Sequence, residues 1–183
     1  MVLGFLFATH SIVYQAMLQF MPSFGSSIFG LPIFWASFVT VIFCLLSFSG
    51  NIIAGQFLQR GWTPPRLVLT AGLILFATMI LMSQLSHYPV IFSLGIIILG
   101  VVTGTVPTVC FYLLSRVKTD DARNMPVFTA WLFQIQGFGM FLGPVVFATI
   151  VEAKDSWIFG IGIFAFFCLV KAGLSFALKI KDQ

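Results

Sequence analysis

The chain has 183 residues, 60% of them hydrophobic and 8% charged, with a formal net charge of +4. A soluble domain carries roughly 25% charged residues, so this chain cannot cover a water-facing surface, and lipid is the solvent its composition fits. The positive excess sits at the ends of apolar runs, which points to membrane topology and argues against nucleic-acid binding.

A spanning helix needs about 20 mainly apolar residues, and the sequence divides into six such runs: residues 2–21, 32–57, 66–82, 89–115, 126–151 and 157–178. The first ends near Pro22 and is followed by an uncharged polar loop over residues 23–30. The second opens at Pro32, a good first helical residue, and ends in a stretch from Gly50 to Arg66. Gly50 and Gly55 thin that helix so that another can approach its backbone. Arg60, Gly61, Pro64, Pro65 and Arg66 then form a short basic elbow, which sets the second and third spans antiparallel and side by side. Residues 83–87 form an uncharged turn, and Pro89 opens the fourth span. Residues 116–124 form a charged loop, Pro126 opens the fifth span, residues 152–155 turn, and Ser156 can cap the sixth. The sequence enters its first span at once, without a basic leader.

Arg60, Arg66, Arg116, Lys118, Arg123, Lys171, Lys179 and Lys181 fall on one side of this alternation, and Lys154 alone on the other. Positive charge is retained inside the cell, so both termini are expected in the cytoplasm, and the protein in a plasma (inner) membrane. Lys171 lies inside the sixth span, from which it can snorkel to the cytoplasmic surface. Trp35, Trp62, Trp131 and Trp157 suit interfacial anchoring. Cys44, Cys110 and Cys168 read as small buried hydrophobes rather than metal ligands.

Polar residues are unevenly shared. The first span carries Thr9, His10, Ser11, Tyr14, Gln15 and Gln19, and the fourth carries Thr103, Thr105, Thr108 and Tyr112 around Pro107. The second and fifth are intermediate, and the third and sixth are poorest. Polarity thus falls one-two-three and again four-five-six, which describes two three-helix repeats whose leading helices face a polar cavity.

Gly55-Gln56-Phe57-Leu58-Gln59-Arg60-Gly61 resembles the glycine–x–leucine–x–aspartate–arginine signature between the second and third helices of each half of a major facilitator superfamily transporter. Gly139-Met140-Phe141-Leu142-Gly143-Pro144 looks like the glycine-rich fifth or eleventh helix of that family, and Leu18-Gln19-Phe20-Met21-Pro22 like the end of its first or seventh. Gln59 replaces the signature's aspartate, and the basic cluster is reduced to Arg66. That is more typical of a C-terminal half, and the bare N-terminus agrees. The resemblance implies helices seven to twelve of a twelve-helix carrier, an all-α membrane fold whose binding site lies between two halves near the midplane. The implied partners are a small-molecule solute, the lipid bilayer, and a missing N-terminal six-helix half or a second copy.

Candidate solute-binding residues are His10, Tyr14, Gln15 and Gln19 on the first span, and Thr105, Thr108 and Tyr112 on the fourth. A polar stripe on a membrane helix either faces a cavity or packs the bundle through interhelical hydrogen bonds. With no carboxylate inside a span, His10 is the candidate for any proton coupling. Gly50, Gly55, Arg60 and Arg66 form the conformational elbow that the resemblance implies, or else a topology signal. Gly139, Gly143 and Pro144 are helix-packing residues. No span holds an Asp, no His-Glu-x-x-His or Walker-type loop occurs, and neither enzymatic activity nor a cofactor or metal is expected. Two further possibilities are a stand-alone six-helix protein that dimerises into a carrier, and a membrane scaffold that transports nothing.

Overall fold

In lipid every backbone N–H and C=O must find a partner within the chain, which favours helices throughout. The computed structural model describes residues 2–85, 88–116 and 125–178, and among these there is no strand. The helices are α1 (Val2–Phe29), α2 (Ile33–Gln59), α3 (Pro64–Gln84), α4 (Pro89–Thr103), α5 (Thr105–Leu114), α6 (Met125–Lys154) and α7 (Trp157–Leu174), followed by a 3₁₀ turn, Ser175–Ala177. Helices α4 and α5 together make one span. Among the described residues, six segments are therefore long and apolar enough to cross a bilayer.

Four local expectations change. The first span does not stop at Pro22, because α1 carries the proline inside it and runs on through Phe29. Proline removes one helical hydrogen bond, but an unwound segment in lipid would leave several groups unpaired. The continued turns also carry Phe24 into the core, 4.9 Å from the Trp157 ring. The fourth span is divided at Gly104. Residues 152–154 belong to α6, leaving Asp155 alone in the turn. Cys44 is exposed, whereas Cys110 and Cys168 are buried. Lys118, Arg123, Lys179 and Lys181, used in counting charges, lie outside the described residues.

The helices interlock across the repeats. Helix α1 packs chiefly on α6, α2 on α4 and α5, and α3 on α7. Glycines set the closest of these approaches. A Cβ on Gly139 would stand 2.5 Å from the Ala8 carbonyl, and one on Gly143 would run into that of Ile12, so α6 rides on the α1 backbone. The corresponding contact of the other repeat uses Gly50 against Val101 and Gly104 against Ser47. Gly72 lets α3 meet Ala172 of α7, where a Cβ would lie 2.9 Å away. Helices α2 and α6 bury the smallest share of their residues, so they form the open flanks of the bundle.

Two of the turns share one hydrogen-bond pattern. At the end of α2, the Trp62 N–H donates to Phe57 O (3.0 Å) and the Gly61 N–H to Leu58 O (3.2 Å). Gly61 has φ +89, and the Trp62 ring lies 4.9 Å from Phe57. This is a Schellman C-cap with its hydrophobic contact. At the end of α6, Ser156 N–H donates to Val151 O (3.3 Å) and Asp155 N–H to Glu152 O (3.4 Å), with Asp155 at φ 45.

Candidate functional site

A cavity of about 220 Å³ opens between α1, α2, α5 and α6. Its polar wall is His10, Ser11, Tyr14, Ser47, Asn51 and Gln136; Phe7, Phe111 and Phe133 supply aromatic faces. Periodicity places the α1 members: His10 and Tyr14 are one turn apart and stack with ring centroids 5.7 Å apart and planes 15° apart. Phe7 stacks on the other side of the imidazole at 6.2 Å, and Phe43 of α2 lies 5.9 Å from Tyr14. The result is a ring ladder that fixes the imidazole in position.

The polar groups differ in how they are satisfied. The Ser11 hydroxyl donates to its own helix at Phe7 O, 2.8 Å away. Asn51 Nδ2 donates to Ser47 O (3.0 Å), and Thr108 Oγ1 of α5 donates to Asn51 Oδ1 (2.9 Å), so Asn51 ties α2 to α5 beside the glycine contact. His10 is 3% exposed, and its Nδ1 is enclosed without a hydrogen-bond partner.

Of the seven sequence candidates, His10 and Tyr14 line the cavity, and Thr108 reaches it through Asn51. Gln15 is half-buried and Gln19 exposed, and neither lines it. Thr105 is buried away from it. Tyr112 also lies off the wall, with the Arg116 guanidinium over its ring at 4.6 Å. Ser47, Asn51 and Gln136 are wall residues that the sequence reading passed over. The Ser47–Asn51 spacing of one turn was the available signal. At the elbow, Arg60 caps α2 and Arg66 lies over the Trp62 ring at 4.7 Å, both exposed. Gly50 is a close-packing position and Gly55 faces open space. Pro144 lies half-buried inside α6.

No family model and no curated protein matches the sequence. Solved structures resemble the fold closely. A peptide transporter POT crystallised with alafosfalin superimposes with a TM-score of 0.82 at 19% identity, covering 96% of this chain and 37% of that one. The POT family transporter PepTSo gives 0.83 at 13% identity, covering 96% and 36%. The POT transporter with bound sulfate gives 0.82 at 18% identity over the same shares. The chain has the fold of one six-helix half of a major-facilitator-type transporter. It spans somewhat over a third of these transporters' length. The aromatic and polar wall is built by α1, α2, α5 and α6, and α3 and α7 contribute no residue to it.

Proposed function

We propose that this chain forms one half of a secondary carrier that moves a small solute by alternating access. The observation that carries this reading is the cavity wall: an uncharged set of hydrogen-bonding and aromatic side chains on one side of a lipid-matched bundle. Polar groups in a membrane helix are costly unless they face protein or water, and a wall of this composition binds a solute through hydrogen bonds and ring contacts. Peptides are the first solutes to test, since the structural neighbours are described as peptide transporters. The chain is the C-terminal half, a placement supported by Gln59 in the elbow signature. Both termini face the cytoplasm of a plasma (inner) membrane, supported by Arg60, Arg66 and Arg116 lying at one end of the bundle and Lys154 at the other. The partner is the missing N-terminal half.

The test is uptake of radiolabelled dialanine, and of a panel of sugars and organic acids, by proteoliposomes holding this chain together with the proposed N-terminal six-helix half. Saturable uptake of one solute is expected, falling at least about tenfold in Tyr14→Ala and unaffected by Phe176→Ala on the exposed surface. A folded assembly that moves none of the panel, or uptake indifferent to Tyr14→Ala, overturns the reading. Uptake by this chain alone points to a carrier built from two copies.

A further inference from the structure

An aromatic ring offers a ligand its face or its edge, and a stacked partner covers the face. One unbroken series of rings borders the cavity: Phe43 of α2, Tyr14, His10 and Phe7 of α1, Phe111 of α5 and Phe133 of α6, with successive centroids 5.7 to 6.2 Å apart. All but Phe43 line it. Phe7 and Tyr14 cover the two faces of His10, at 23° and 15° between planes, so the imidazole lines the cavity by its edge. The stack ends at Phe111, which stands at 82° to Phe7. Phe111 and Phe133 are both exposed, so uncovered ring surface lies at that end.

The polar groups of the wall are unequally committed. The Ser11 hydroxyl donates to Phe7 O, and the Asn51 amide is held between Ser47 O and Thr108. Gln136 of α6 is half-buried in the wall, and its side chain makes no hydrogen bond among the described residues. A primary amide carries an acceptor oxygen and donor N–H groups side by side, and leaving both unmet inside a membrane is costly. Apart from His10, no acidic or basic side chain among the described residues lines the cavity. Lys171, free by sequence to snorkel, is instead buried on α7, 1% exposed, and lies outside the wall. An ion entering this space loses its water and meets no countercharge. A neutral amide exchanges its water for Gln136.

We propose that the cavity is a subsite for the uncharged, planar part of a solute, one with a lactam-type edge of adjacent N–H and C=O, and that it rejects charged ends. The edge pairs with the Gln136 amide, and the plane lies against the uncovered surface of Phe111 and Phe133. A cavity of about 220 Å³ has room for a single small ring. In a peptide, this half then reads an internal amide, and the charged termini must be met elsewhere. The use of the subsite in transport rests on the carrier reading above, whereas its preference for a neutral group does not.

The test therefore measures binding and not uptake. Two probes built from the same residues separate charge from shape: cyclo-dialanine is a neutral ring with two lactam edges, and dialanine is a zwitterion. Binding of each to the full chain in lipid nanodiscs is followed by titration calorimetry. Cyclo-dialanine is expected to bind at least about tenfold more tightly than dialanine, because only the zwitterion brings unpaired charge into the wall. Gln136→Leu is expected to weaken the cyclic probe about fivefold or more, the loss of one buried hydrogen-bonded pair. Dialanine bound as tightly as cyclo-dialanine, or no binding of cyclo-dialanine, overturns the proposal, even if Gln136→Leu fails to fold. So does undiminished binding in a folded Gln136→Leu. An assembly that binds the ring and moves no solute overturns the carrier reading alone.

Discussion

Gly61 and Asp155 stand at the same position of two Schellman caps, and both have left-handed backbones. Glycine takes that conformation without a Cβ clash, whereas other residues are strained there. Asp155→Gly should therefore stabilise the protein by roughly 0.5–1 kcal/mol, and Gly61→Ala should destabilise it by about 1 kcal/mol. Thermal unfolding in detergent checks both, with the midpoint rising in the first variant and falling in the second. The first cap was legible: Gly61 ahead of Pro64-Pro65, between apolar runs, is a helix stop and restart. The second was not, because aspartate beside a serine reads equally as an N-cap. The burial of Lys171 was illegible for a different reason. A long basic side chain two turns from the end of a span can reach the surface or turn inward, and only the neighbouring helix decides.

Among the helices, the decisive contacts are backbone against backbone. Gly143 meets Ile12 and Gly50 meets Val101 with no room for a side chain. Without a hydrophobic force between helices in lipid, association depends on such close packing. Gly143→Val or Gly50→Val must push α6 off α1, or α2 off α4, and overpacking of this kind costs about 1–3 kcal/mol or more. Each variant should unfold at lower SDS than the unaltered protein, while Gly55→Ala, which meets nothing within 4 Å, should not. An unchanged midpoint for both valine variants would contradict the packing described. The glycine spacing showed that α6 had a thin face but could not say which helix lay against it. Pro22 misled in the opposite sense. It marks a stop in water, yet α1 continues because a loop in lipid is worse.

For the molecule as a whole, hydropathy was enough to count six spans and the decline of polarity was enough to place the two repeats. The cavity was less legible. Its wall draws on four helices, and Ser47, Asn51 and Gln136 are single polar residues in apolar runs whose direction emerges only when the bundle closes. The interlocking of the repeats has a further consequence, for synthesis. Helices α1 and α3 find their main partners late in the chain, in α6 and α7, whereas α2 packs on α1 as well as on α4 and α5. While the ribosome is still making the later spans, α1 can pair with α2, but α1 and α3 sit in the bilayer without their main partners. A stalled chain ending at Arg116 should therefore insert and yet be digested at its loops by a protease that the finished protein resists. Protection should arrive abruptly once the last helix is released, which leaves a long interval in which the nascent protein depends on the insertion machinery and its chaperones.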